Sequence, residues 1–197
     1  MSMAGLLAKF GHEAGRWVGP TGRVTIAAGA GGTSGLRVAP HTFHGGEDPR
    51  GDIADDSEAP WWLSDGAMTH EREVMAQAFP SFLEVPGDDA NPPAWFGSID
   101  TGRGVFQLML VHRNDHGLPS VIPVRITRRG KPRGRGWANA PHLYTSGNLC
   151  VADTADWAPD RMTIADVVAW AAHWHACYVE WLATDRWPAD GVPDVAA

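Results

Sequence analysis

Cysteine is scarce in this chain. Cys150 and Cys177 are its only two, too few for the disulfide framework of a small secreted domain. Free thiols in a reducing cytoplasm are the simpler expectation. Long apolar runs are missing as well, since no stretch approaches the roughly 20 consecutive apolar residues of a membrane span. The opening MSMAGLLAKFGHEAG lacks both the basic start and the long apolar centre of a secretory leader. Neither membrane nor secretion is therefore expected. Positive charge is in deficit, with a formal net charge of −7, and an acidic surface repels polyanions. General nucleic-acid binding is not expected.

Residues 1–60 show no sustained helical or strand period. They hold 12 of the 23 glycines, in runs such as AAGAGGTSG, followed by the acidic EDPRGDIADDSE. Glycine raises the entropy lost on ordering, so this stretch reads as a flexible arm that can be removed without loss of cooperative unfolding. One exception is a short strand expected within residues 22–28. The folded domain is expected over residues 61–197.

From Trp61 the pattern sharpens. Asp65 is placed to cap a helix running from Met68 to Ala78, which Phe79-Pro80 stops. Three strand-like runs follow: Ala94 to Asp100, Val105 to His112 and Ser120 to Thr127. The turn sequences 101–104 and 114–117 join them as hairpins. From Thr163 to Thr184, apolar residues at Val167, Trp170, Trp174, Cys177 and Trp181 form one stripe along a long helix. Thr163 and Asp166 form a capping box at its start. The fold class is α+β: an N-terminal helix, an antiparallel β-meander, a connecting loop and a long C-terminal helix.

Two further clusters have plain readings. Six of the 16 basic residues fall within 125–135, which suits a dock for an acidic partner and, equally, a solvated Gly/Pro loop. His173, His175 and Cys177 have a metal-like spacing, but on a helix His175 points away from the other two. No metal is expected there.

The segment from Ala140 to Cys150 (APHLYTSGNLC), followed by Trp157-Ala158-Pro159, resembles the active-site region of the ubiquitin-conjugating (UBC-like) family. That family has an Asn eight residues before its reactive Cys, a Gly three before it, an apolar residue just before it and a Trp-x-Pro shortly after. Here Pro141, Gly147, Leu149, Cys150, Trp157 and Pro159 stand at matching or one-residue-shifted spacing, and Pro119 and Pro123 match prolines further upstream. The tail WAAHWHACYVEWLATDRWP is similar to that of bacterial members. The resemblance covers about residues 61–190.

It implies a UBC-like fold and a transferase in which Cys150 carries the C-terminus of a ubiquitin-like protein, or another protein tail, as a thioester. An adenylating activating enzyme would supply that tail, and an amine on a target protein, or a second thiol, would receive it. The resemblance extends to bacterial ubiquitin-like and antiphage conjugation systems. No metal or organic cofactor is implied. His142 stands where the family has its Asn, so it is the expected second site residue, as an oxyanion donor worth roughly 3–4 kcal/mol or as a base. Gly147 would let a partner's tail pass close to the thiol, and a transfer cysteine gains from partial exposure. Asp153, Asp156 and Tyr144 are near enough in sequence to assist. Two other functions suit the same residues: a non-catalytic module that binds a ubiquitin-like protein, and a thiol hydrolase with a Cys150–His142 dyad.

Overall fold

The computed structural model describes residues 14–28, 35–49, 59–124 and 130–192. Its centre is a four-stranded antiparallel meander of β5 (Leu83–Val85), β6 (Ala94–Asp100), β7 (Val105–Val111) and β8 (Ser120–Pro123), in that spatial order. The strands alternate because successive side chains face opposite sides of a sheet. Ile99, Leu108, Leu110 and Val121 turn inward and are buried. Gly97 faces the Phe82 ring, and a Cβ there would lie 2.5 Å from the ring atoms, so only glycine lets the ring rest on the sheet.

Two α-helices occur among the described residues. α1 (Thr69–Ala78) starts later than expected, at a Met68 cap rather than at Asp65, and ends before Phe79-Pro80. α2 (Ile164–Thr184) has the expected Thr163/Asp166 capping box, with the Thr163 N–H donating to Asp166 Oδ2 at 2.9 Å. A second carboxylate caps it from outside: Glu71 on α1 accepts the Ile164 N–H at 2.8 Å. Burial pushes the Glu71 carboxyl above its ordinary range. Lys131 closes the other end. It donates to the carbonyls of Trp181 and Leu182 at 3.0 and 3.2 Å and pairs with Asp185 at 2.7 Å. A cation belongs at a helix C-terminus, where the dipole is negative. Lys131 sits on a hairpin of β9 (Gly130–Arg133) and β10 (Gly136–Asn139). This part of the basic stretch is thus a structural brace. Residues 125–129 lie outside the described residues, as does the end of the strand expected to reach Thr127.

The stripe on α2 is buried as the spacing predicts, but burial continues all round its first three turns, with Ala165, Val168, Ala169, Ala171 and Ala172 at 0% exposure. A helix apolar on every side must be covered on every side. The second cover comes from residues 14–28 and 35–49, which are folded where a flexible arm was expected. β1 (Ala14–Val18), β2 (Val24–Ala28) and β3 (Leu36–Arg37) form an antiparallel sheet in the order β2-β1-β3, and all three contact α2, as β7 does. Val18, Val38 and Phe43 are 0%, 2% and 3% exposed and join the same core cluster as the tryptophans. The Trp170 indole donates to Ala39 O at 3.1 Å. β4 (His41–Thr42) pairs with β11 (Gly191–Val192) near the chain end. The core-forming boundary therefore lies well before residue 61, and residues 1–13, 29–34 and 50–58 lie outside the described residues. No described helix is long and apolar enough to cross a membrane.

Deleting residues 1–55 removes three buried apolar side chains, each worth about 1.5–3 kcal/mol, from a domain whose total stability is about 5–15 kcal/mol. The truncated chain is expected to lose its cooperative thermal transition or to melt far below the intact protein. Equal melting curves would show that this sheet is dispensable. Trp174, fully buried and bonded through Nε1 to His142 O at 3.0 Å, is expected to cost roughly 3–5 kcal/mol when replaced by Ala. A denaturant titration showing less than 1 kcal/mol would contradict its place in the core.

Candidate functional site

Residues 142–150 double back on themselves between β10 and α2. The Cys150 N–H donates to His142 O at 3.1 Å, the Tyr144 N–H to Asn148 O at 2.9 Å, and the Gly147 N–H to Tyr144 O at 2.9 Å. Leu149 N–H reaches Val121 O at 2.9 Å and pins the loop to β8, while Trp174 pins His142 O to α2. Two residues reverse the chain by taking left-handed backbone, His142 with φ 56° and Gly147 with φ 91°. A Cβ at Gly147 would meet nothing within 4 Å. Within the chain the glycine serves the turn, where its positive φ and not a close contact excludes a side chain.

The same φ explains the residue at 142. Asn, Asp and His are the non-glycine residues enriched in left-handed backbone. An Asn or a His can therefore occupy this position with less strain than most other side chains.

Cys150 is wholly buried, against the expectation of partial exposure. The backbone N–H of His44 donates to its Sγ at 3.3 Å, and the Tyr144 hydroxyl is hydrogen-bonded to it. Its own S–H lies 3.8 Å from Ala152 O. Burial pushes the thiol pKa up, and the Tyr144 and His44 donors act against that shift by favouring the thiolate. Burial also drives the Tyr144 hydroxyl well above its usual pKa, so it remains a donor. Tyr144 is the neighbour that faces the sulfur.

His142 is brought beside Cys150 by its backbone, not by its ring. The ring nitrogen Nδ1 lies 2.6 Å from His44 O. Because a carbonyl only accepts, Nδ1 carries the proton. The ring packs against Phe43 and Trp187, with centroids 5.5 and 5.0 Å away, and burial lowers its pKa. No hydrogen bond among the described residues joins this ring to Cys150 Sγ, so a Cys150–His142 dyad is not assembled here. Asp153 and Asp156 do not bond the thiol. Asp153 Oδ2 lies 3.2 Å from His44 Nε2, and Asp156 Oδ2 accepts the Thr42 N–H at 2.7 Å. Both hold the segment that covers the thiol. His44, separated from Cys150 by 106 residues, carries no local signal that sequence could have offered.

Cys177 belongs to a different construction. His173 Nδ1 lies 3.1 Å from His41 Nε2, and His41 Nδ1 lies 2.9 Å from Ala39 O. The carbonyl requires a proton on His41 Nδ1, so His173 donates to His41 and presents Nε2 to the Cys177 sulfur at 3.7 Å. Burial holds His41 and His173 neutral, with pKa values lowered to about 4 and about 2, and raises the Cys177 thiol to about 12. His175 points elsewhere, bonding Ala171 O and packing on Phe106. Among the described residues no cluster of three or more His, Cys, Asp or Glu is placed to hold a metal.

A separate cavity of about 350 Å³ is lined by Trp61, His112, His116, Trp157, Arg161 and Met162, among others. The Trp157 indole donates to His116 O at 2.8 Å, so the Trp-x-Pro segment forms one wall of it. Cys150 does not line it.

Compared with known families, residues 71–194 match the model described as "Type II CBASS E2 protein". The matched span contains His142, Tyr144 and Cys150, while His44 lies before it. Comparison with curated proteins and with solved structures finds no match.

Removing the Tyr144 hydroxyl takes one donor from the thiolate, so Tyr144→Phe is expected to raise the Cys150 pKa further. A donor to a charged group favours that charged form. The pH profile of Cys150 alkylation should move to higher pH, and the rate at pH 8 should fall. An unmoved profile would remove Tyr144 from the thiol's environment.

Proposed function

The chain belongs to the Type II CBASS E2 protein family, and from that membership we propose that it is a ubiquitin-conjugating-like transferase of a bacterial antiphage pathway, with a UBC-like fold and Cys150 as the residue that carries the acyl cargo. The observation that supports Cys150 most directly is the convergence of the His44 N–H and the Tyr144 hydroxyl on its sulfur.

The thiolate of Cys150 attacks the carbonyl carbon of a thioester held by an adenylating activating enzyme. A new S–C bond forms at Cys150, and the partner's S–C bond breaks as its thiolate leaves. ATP is consumed earlier, by that partner. An amine of a target protein then attacks the same carbonyl, loses a proton and expels the Cys150 thiolate. A thiol suits this relay because a thioester keeps its acyl reactivity toward amines. The cargo is the C-terminal tail of a ubiquitin-like protein or of another protein.

His142 acts in two ways on this reading. Its left-handed backbone sets the loop, and its Nδ1–H is a donor within the loop that can serve an oxyanion once His44 O withdraws from it. Burial of Cys150 favours a second reading, a non-catalytic module that binds a ubiquitin-like protein and never reacts.

Incubation with an activating enzyme, a ubiquitin-like protein and ATP separates these readings. The transferase gives an adduct that reductant removes. It disappears in Cys150→Ala and becomes reductant-resistant in Cys150→Lys, where the bond is an isopeptide. His142→Ala is expected to load but to discharge to amine roughly 10²–10³ more slowly. His142→Asn, which tolerates the same φ, should recover much of that rate. Absence of any adduct points to the binding module, and release of free modifier points to a hydrolase.

A further inference from the structure

Cys150 is closed in by residues distant from it in sequence. The chain leaves β4, buries Phe43, and then runs as a strap from His44 to Pro49, exposed as far as Glu47 and half-buried at Asp48 and Pro49, across the loop of residues 142–150. His44 contributes its N–H to the sulfur at 3.3 Å and its carbonyl to His142 Nδ1 at 2.6 Å. Its ring nitrogen Nε2 lies 3.2 Å from Asp153. Gly46 pairs with Tyr144 as a parallel β-bridge, and the Thr145 N–H donates to Gly46 O at 2.8 Å. Asp48 accepts from Ser146 N, Ser146 Oγ and Asn148 Nδ2 at 3.2, 2.7 and 3.2 Å. Arg113 donates to Pro49 O at 3.0 Å.

We propose that this strap is a displaceable cover: it occupies the extended-backbone groove of the reactive loop in the free protein, and an acyl-bearing protein tail must lift it and take its place before Cys150 can react.

Three features carry the proposal. First, a thiol with no exposed surface cannot meet a carbonyl that belongs to another protein, so something must move. Second, the strap is the part of the enclosure built to move. No side chain from His44 to Pro49 is buried, and every contact named above is polar, whereas Phe43 behind it is in the core. The far end is not tightly filled either, since a cavity of about 20 Å³ lies between Asp48, Pro49, Tyr144 and Asn148. Third, the groove already binds backbone as a strand partner would. The β-bridge at Tyr144 and the bond from Thr145 N–H recognise main chain, not a particular side chain, which is how an extended tail is added to an exposed edge. Lifting the strap also frees the His142 Nδ1–H from His44 O. It further relieves the burial that raises the Cys150 pKa. Opening therefore exposes and activates the thiol together.

The meaning of the cover rests on the transfer function proposed above, but its existence is tested without any partner. Intact protein is treated with iodoacetamide, and the alkylation of Cys150 and Cys177 is followed separately by mass spectrometry. Asp48→Ala removes the three contacts to Ser146 and Asn148. Gly46→Val places a β-branched residue at φ 101°, where a Cβ meets no atom within 4 Å, so it strains the strap without striking its surroundings. Each variant is expected to speed Cys150 alkylation at least tenfold while Cys177, deep in the core, stays as slow as in the parent protein. An unchanged or slower Cys150 rate in both variants would overturn the proposal. Equal acceleration at Cys177 in both would overturn it too, by showing that access comes from global unfolding. Failure to form a thioester with an activating enzyme, alongside faster Cys150 alkylation, would reject the transfer function and leave the cover intact.

Discussion

The organising constraint is that α2 is buried on every side over its first three turns. Alanines and valines fill the faces between its tryptophans, so a single sheet cannot shield it, and a half-covered helix of this composition would leave a large apolar surface in water. The meander covers it from β7, and the β2-β1-β3 sheet covers it from the N-terminal region. Glu71 and Lys131 satisfy its two ends from outside. Trp170 and Trp174 each turn an indole N–H outward from this buried helix, one to Ala39 O and one to His142 O. The same helix therefore fixes both the segment that leads to the strap and the loop that holds Cys150.

The loop depends on that anchoring. His142 O accepts two donors, the Trp174 indole and the Cys150 N–H, and its left-handed backbone persists because both donors require the carbonyl to point one way. Left-handed backbone outside glycine costs of order 1 kcal/mol or more, and packing on α2 offsets it. The requirement at position 142 is therefore first a backbone requirement. Which side chain meets it decides what hydrogen-bonding group stands ready near the thiol.

Much of this was legible in sequence. The meander strands β6 and β7 fall within one residue of their expected limits because alternation and turn residues are local signals. The Thr163 capping box and the Trp170–Trp174–Cys177–Trp181 stripe are equally local. The position of Cys150 in its loop followed from family spacing, and membership in that family is shown by the match over residues 71–194. What escaped was non-local. The glycine-rich composition of residues 1–60 suggested an arm, whereas Val18, Val38 and Phe43 fold against α2. The missed signal was the breadth of the apolar surface on α2, which demanded a second cover that only this region remained to supply. Cys150's partner His44 was invisible for a different reason. It contributes a backbone N–H, and no side-chain pattern records where a main-chain donor goes.

The enclosure also resolves a conflict in the chemistry proposed for Cys150. A thiol that forms thioesters must react readily when its partner arrives, yet a permanently exposed thiolate is open to oxidation along the sulfenic-to-sulfonic ladder. Two thiols in this protein meet burial in contrasting ways. Cys177 is sealed within α2's core beside neutral histidines, and its pKa is raised to about 12 with no donor among the described residues hydrogen-bonded to stabilise its thiolate. Cys150 is raised by burial but already holds two donors, the Tyr144 hydroxyl and the His44 N–H, that favour the charged form. One of them, Tyr144, belongs to the loop itself and stays when the strap leaves. Lifting the strap removes the desolvation that suppresses the Cys150 thiolate while keeping a hydrogen bond that supports it, so the thiol becomes reactive as the cover leaves. No such change is available to Cys177, whose enclosure is the core of the domain.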